Sequence, residues 1–276
     1  MLTPYSSPKQ KQAIKELDHV LHGGNLKAEV DTLIFDYGNT LVLDPFHEIL
    51  RTKSKDFQRL QSVRGFGRRW QQIARLWAKA NEEINLPFIS HFYQDEVIVR
   101  YMLVMAGAND KTIMHTSREL LQTYRQGFKE VLVGDKRRTE VKETLGFLKN
   151  RDLKLAVLSN ERESALKLAL RLYGIDNLFG LILSSERIGL EKPNVKVFHQ
   201  ALRILDSRPE TAIYVGDDPA TDILPAKKVG MTTVLYIPPT KYSVKTSWRK
   251  YEYSRIHPDF VVKRFAQLRQ LICRRE

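Results

Sequence analysis

The stretch TLIFDYGNTLVLD, residues 32–44, decides how the rest of the chain is read. Leu33, Ile34 and Phe35 make a strand-like apolar triplet that runs into Asp36, and the chain then breaks at Gly38, Asn39 and Thr40. Asp, Gly and Asn are favoured turn formers, so a strand that stops here is expected on local grounds alone. The same arrangement also aims a carboxylate oxygen at a metal ion or a reacting group. The remainder of the chain separates these two readings.

Downstream, short apolar runs alternate with helical periodicity. LKLAVLSN (153–160), GLILSSERIGLEKP (180–193), AIYVGDD (212–218), TTVLYI (232–237) and DFVV (259–262) each open as a strand. Helices are expected over 138–149, onward to Tyr173, across Val195, Phe198, Ala201, Leu202 and Leu205, then to about Val229 and at the C-terminus. Strands alternating with helices predict a doubly wound, Rossmann-like parallel α/β sheet covered on both faces. Such sheets bind ligands at the carboxyl ends of their strands.

Residues 45–135 read differently. Trp70, Ile73, Trp77, Ala80 and Ile84 recur at intervals of three and four, one apolar helix face, and further helices are expected over 94–105 and 111–130. This predicts an all-helical block inserted into the α/β core, which then comprises 31–44 and 136–276. The N-terminal extension, 1–30, reads as a surface helix or ordered tail. It lacks the apolar segment of a secretory signal, and no run approaches the roughly 18 apolar residues of a membrane span. The single cysteine, Cys273, has no internal disulfide partner, which points to a reducing, cytoplasmic setting.

The formal charge of +13 is concentrated in two places. Residues 51–80 carry nine basic side chains against Asp56 alone, and residues 241–276 carry ten basic against three acidic. The rest of the chain is slightly acidic. Two basic segments on a nearly neutral body suit an anionic partner: nucleic acid, an anionic membrane surface or a phosphorylated small molecule. No zinc knuckle, aromatic RNA-binding strand or helix-turn-helix pattern favours nucleic acid. The basic stretch 238–257 reads as an extended insertion before the last strand.

Three strand ends carry complementary chemistry: Asp36, then Ser159 with Asn160, then Asp217 with Asp218. The loop GLEKPN adds Lys192. Carboxylates for a hard cation, a hydroxyl and amides for phosphate oxygens, and one ammonium form an inventory for phosphoryl transfer. These motifs, in this order, resemble the haloacid dehalogenase superfamily of phosphohydrolases over essentially residues 31–271. FDYGNTL matches its first motif, with Asp36 in the nucleophile position and Thr40 closing the motif. LAVLSN matches the second through Ser159, EKPNVKVF the third through Lys192, and GDDPATD the fourth through Asp217 and Asp222.

The resemblance implies roles. Mg²⁺ would be held by Asp36, the Gly38 carbonyl and Asp217, with Asp222 orienting waters or Lys192 from outside the ligand set. Asp218 is either another outer ligand or a helix N-terminal carboxylate. Ser159, Asn160 and the amides after Asp36 would hold phosphoryl oxygens, and Lys192 would neutralise charge on the nucleophile and transition state. The helical block matches the family's helical cap, and the activity implied is hydrolysis of a small phosphomonoester through an aspartyl-phosphate on Asp36.

One position departs from that pattern. Phosphatases of the family usually carry a second aspartate two residues after the nucleophile, where this chain has Gly38, as in a Gly-Asn variant resembling sugar-phosphate phosphatases. Asp44 and His47 are candidate substitutes for the absent acid. The dehalogenase branch has tyrosine at this place, and the ion-pump branch has threonine together with membrane spans. Two further readings stand beside the phosphatase: a catalytically weak binding or regulatory protein that keeps the metal crevice, and a phosphoglucomutase-like phosphotransferase, which too would usually need the acid missing at Gly38.

Overall fold

The structure is a computed structural model of the whole chain, and it describes residues 29–43, 46–53, 70–84, 94–237 and 257–273. The chain separates into two compact units, 1–43 with 136–276, and 44–135. Asp44, the N-terminal extension to residue 28, much of the first basic segment and the insertion at 238–256 lie outside the described residues.

The first unit is built on six strands: β1 (Thr32–Phe35), β2 (Lys154–Ser159), β3 (Leu181–Ser184), β4 (Ala212–Gly216), β5 (Thr232–Tyr236) and β6 (Phe260–Val262). They form one sheet in the order β3-β2-β1-β4-β5-β6, and every pairing is parallel. β1 therefore lies centrally between β2 and β4. All four of its side chains are buried, which is why its sequence is a continuous apolar run instead of an alternating one. From β1 the chain steps outward through β2 to β3, then crosses back to β4 on the other side. The strand order thus reverses between β1 and β4, and open α/β sheets bind ligands beyond the carboxyl ends of the strands at such a point.

Helices α5 (Arg138–Lys149), α6 (Glu163–Tyr173), α8 (Val195–Leu205) and α10 (Gln267–Cys273) connect or follow the strands, with short α7 (Ser185–Ile188) and α9 (Leu224–Val229) between. Val197, Phe198, Ala201 and Leu202 of α8 pack with Ile34, Ala156, Leu158 and Tyr214 of the sheet, all buried. The apolar spacing that predicted this helix is its packing face.

Two details differ from the sequence expectation. β4 ends at Gly216, so Asp217 follows the strand instead of closing it. The single helix expected up to Val229 is divided into a wide π-type turn over Pro219–Ile223 and the α-helical α9. Two prolines and a capping carboxylate account for this. Asp218 accepts the N–H groups of Ala220 and Thr221, while Pro219 and Pro225 have no N–H to donate into a continuous ladder.

The second unit contains α1 (Phe46–Thr52), α2 (Trp70–Ile84), α3 (Gln94–Met105) and α4 (Asp110–Val133). Ile49, Ile73, Ala80, Ile98, Met102, Leu103 and Leu120 form its buried core. The 24-residue α4 exceeds the expected span because both ends are capped. Asn109 accepts the Thr112 N–H through its side chain, and the Gly134 N–H returns to Glu130 and Leu132.

Candidate active site

Parallel register places the functional strand ends side by side. Phe35 lies opposite Val157 of β2 and Val215 of β4, so the next residues along these three strands emerge at one level of the sheet. Adjacent strands are roughly 5 Å apart. The Asp36 N–H continues the ladder by donating to the Val215 carbonyl at 2.8 Å. The chain then turns sharply. Leu41 and Val42 both donate to the Tyr37 carbonyl, and Asn39, at φ 60°, donates to Val42. An asparagine tolerates this left-handed conformation better than most residues.

Asp36 is buried with its two oxygens differently engaged. Oδ1 accepts the Lys192 ammonium at 2.7 Å, and Oδ2 accepts the Thr40 hydroxyl at 3.3 Å. The closing threonine of the first motif thus reaches back over the turn to the carboxylate that begins it.

Lys192 organises the centre. Its Nζ donates to Asp36, to Asp222 Oδ1 at 2.6 Å and to the Tyr214 hydroxyl at 3.0 Å. Its side chain is 3% exposed, beside Asp222 at 0% and Asp36 at 8%. Burial opposes the charged form, but the carboxylates of Asp222 and Asp36 outweigh it and hold the ammonium protonated well above the ordinary lysine range. Burial pushes the Tyr214 hydroxyl well above its usual range, so it stays a neutral hydrogen-bonding group.

The backbone of Lys192 is fixed independently. The Asn160 carboxamide accepts the Lys192 N–H and donates to the Lys192 carbonyl, both at 2.9 Å. This pair of bonds clamps the loop from the second motif to the third. Ser159 Oγ accepts the Glu161 N–H at 3.0 Å, which leaves its hydroxyl hydrogen to donate elsewhere. Asp222 Oδ2 accepts the Asp218 N–H at 3.0 Å.

Asp36, Asp217 and Asp222 bring carboxylate oxygens within 4.8 Å of one another, all buried. Three carboxylates against one ammonium leave an excess of two negative charges. An excess of this size among hard oxygen donors fits a divalent cation. The Gly38 carbonyl lies in the same turn as Asp36, and Asp218 Oδ1 accepts the Ala220 and Thr221 N–H groups. His47 falls in the first turn of α1, in the other unit.

Two contributors were not legible as site residues. Tyr214 sits mid-strand in AIYVG, where only a fully buried hydroxyl needing a partner signals a polar role. Gly216 is the other. A Cβ there would lie 2.6 Å from Asp222 Cβ, Cγ and Oδ2, so only glycine lets that carboxylate pack against the end of β4.

The chain belongs to the haloacid dehalogenase-like hydrolase family, whose model matches residues 84–236, more than half of its length. A phosphoglycolate phosphatase of Aquifex aeolicus is 31% identical over 204 residues, covering 73% of this chain and 89% of that protein. A glyceraldehyde 3-phosphate phosphatase of Methanothermobacter thermautotrophicus is 36% identical over 97 residues, 33% of this chain and 41% of the relative. Several of the curated relatives are thus matched over half of their length or less. In structure, a haloacid dehalogenase-type hydrolase of Bacillus subtilis bound to magnesium superposes with a TM-score of 0.64, covering 89% of this chain and all of that one at 18% identity. That likeness establishes a shared fold. No described helix is long and apolar enough to cross a membrane.

Proposed function

We propose that this protein is a Mg²⁺-dependent phosphatase that hydrolyses a small phosphomonoester through an aspartyl-phosphate on Asp36. The observation that carries this reading is the buried Asp36–Lys192–Asp222 network beside Asp217 at the strand-order reversal. The named activities of the relatives, phosphoglycolate phosphatase and glyceraldehyde 3-phosphate phosphatase, support the same class.

The residues divide the work. Asp36 supplies the oxygen that attacks phosphorus, breaking the bond to the leaving alcohol, and water then hydrolyses the acyl phosphate. Its contact with Lys192 lowers the repulsion between carboxylate and phosphate and offsets the charge that builds on the phosphoryl oxygens. The free hydrogen of Ser159 donates to one of those oxygens. Asn160 acts chiefly through its clamp on the Lys192 backbone, with one amide hydrogen left for substrate. Asp36, the Gly38 carbonyl and Asp217 would hold Mg²⁺, whose chemistry here is to neutralise charge shared by nucleophile and phosphate. The helical unit at 44–135 would serve as the cap that closes over substrate. The reading takes the cytoplasm as the setting and a small phosphorylated molecule as the partner.

A specific observation favours a second reading. Gly38 brings no acid to the leaving group, so a protein that binds phosphorylated ligands and turns them over weakly fits the same residues. One experiment separates the two. Wild type and Asp36→Asn are assayed against sugar phosphates, acyl phosphates and an aryl phosphate, with Mg²⁺ and after EDTA treatment. The phosphatase reading expects Mg²⁺-dependent turnover that Asp36→Asn abolishes without loss of fold. Near-wild-type hydrolysis by Asp36→Asn, or full activity after chelation, would sink it.

A further inference from the structure

Two residues that follow the carboxyl ends of β2 and β3 carry buried polar atoms that the proposed reaction leaves unused. Arg162 lies two residues beyond Asn160, and its Nη2 is buried with no hydrogen-bond partner among the described residues. Ser185, 1% exposed, begins α7 directly after Ser184, and its Oγ is likewise buried and unpartnered. Ser184 pairs in register with Ser159 across the two strands. Both residues therefore follow the strand ends that carry Ser159 and Ser184.

The loop carrying Arg162 is held in place without its guanidinium. Asn160 is bonded twice to the Lys192 backbone. Ser184 Oγ donates to the Glu161 carbonyl at 2.7 Å, and the Glu163 N–H donates to Glu186 at 2.8 Å. The nearby acids hold other donors: Glu161 accepts the Arg162 backbone N–H at 2.9 Å, and Glu163 accepts the Lys167 ammonium. Buried polar groups in native proteins nearly always find partners, so two orphans on one edge beside a ligand-binding residue call for a ligand. Guanidinium offers donors only, and a serine hydroxyl can donate as well. Their common complement is an oxyanion.

We propose that Arg162, assisted by Ser185, binds a second anionic group of the substrate, so that the site selects small phosphomonoesters bearing a carboxylate or a second phosphate. The inference rests on the reading of Asp36 and Ser159 as the phosphoryl site. With strands roughly 5 Å apart, β3 is one strand spacing beyond the Ser159 strand, within the length of a three-carbon molecule.

The test is a binding measurement on Asp36→Asn protein with Mg²⁺, so that affinity is read without turnover. Two matched pairs serve as probes: 3-phosphoglycerate against glycerol 1-phosphate, and fructose 1,6-bisphosphate against fructose 6-phosphate. Titration calorimetry should show the member carrying the second anionic group, in at least one pair, bound roughly ten- to hundredfold more tightly. Adding Arg162→Gln should erase that difference while leaving the other member's affinity unchanged, and Arg162→Lys should restore part of it. The pair that discriminates identifies carboxylate or phosphate as the second group. Equal affinities within both pairs, no binding of any probe, or a loss in Arg162→Gln shared equally by both members overturns the proposal. Turnover by the wild-type protein is read separately. Discrimination without hydrolysis would remove the phosphatase reading and keep the anion site, and hydrolysis without discrimination would do the reverse.

Discussion

Tyr214 places its hydroxyl 3.0 Å from the Lys192 ammonium, within a chain that continues to Asp222 Oδ1 at 3.3 Å and the Leu158 carbonyl at 3.4 Å. Its ring packs edge-on against Phe198 at 5.0 Å, so Tyr214→Phe preserves shape and removes one acceptor. The ammonium then keeps two carboxylates but loses the contact that fixes its third hydrogen. A hydrogen bond to a charged group contributes about 1.5–3 kcal/mol, so kcat should fall roughly ten- to hundredfold while Mg²⁺ affinity stays unchanged. Unaltered kcat would show that the two carboxylates position Lys192 by themselves. Gly38 poses the opposite test. A Cβ there meets nothing within 4 Å, and its backbone lies outside the left-handed region, so Gly38→Asp introduces a side chain without a clash. A positioned general acid is worth about 10²–10⁴-fold. Wild-type rates should therefore fall steeply with leaving-group pKa, and Gly38→Asp should raise alkyl-phosphate turnover and flatten that dependence. Fast alkyl-phosphate hydrolysis by wild type, unchanged in the variant, would mean that another residue already supplies the proton.

At the scale of elements, the end of β4 and the turn after it act as one part. Gly216 admits Asp222 against the strand, Asp222 accepts the Asp218 N–H, and Asp218 caps the turn that carries Asp222. Gly216→Ala forces a methyl group to 2.6 Å from three Asp222 atoms. Overpacking of this kind costs about 1–3 kcal/mol, which should lower the melting temperature by several degrees. Because the displaced carboxylate also holds Lys192, activity should fall further than the folded fraction does. Loss of stability with specific activity intact would show that Asp222 can shift without consequence. The elements themselves were largely legible. β1, β2 and β4 are apolar runs because they are buried on both faces, and α8 declared itself by its spacing. The π-type turn was not legible, because it arises from Asp218 bonding to its own downstream backbone, a choice that periodicity does not register. Tyr214 and Gly216 escaped for a related reason. Tyr214 matters because β4 lies beside β1, and Gly216 because the turn after β4 folds Asp222 back against the strand end; both are properties of the folded chain.

For the whole molecule, the buried carboxylates link metal binding to stability. Asp36, Asp217 and Asp222 repel one another unless a cation is present, since Lys192 offsets only part of their charge. A ligand at a hundred times its Kd stabilises by about 2.7 kcal/mol, which for a unit of this size corresponds to roughly 5–10 °C. Mg²⁺ should raise the melting temperature by that order. Asp217→Asn should melt higher than wild type without metal and gain nothing from Mg²⁺; an equal Mg²⁺ response in the variant would place the ion elsewhere. At this scale the sequence was legible in its α/β alternation and in the order of its four motifs, which together brought Asp36, Ser159, Lys192 and Asp217 to one edge. It was silent on Arg162 and Ser185, whose unmet donors appear only once burial is known. Covalent catalysis by Asp36 is tested most directly by trapping the phosphoenzyme. Protein quenched in acid during turnover of an acyl or aryl phosphate is digested and mapped by mass spectrometry. A phosphoryl adduct is expected on Asp36, removed by hydroxylamine and missing from Asp36→Asn. Steady turnover with Asp36 never modified, or with the adduct on another residue, would contradict covalent catalysis by Asp36.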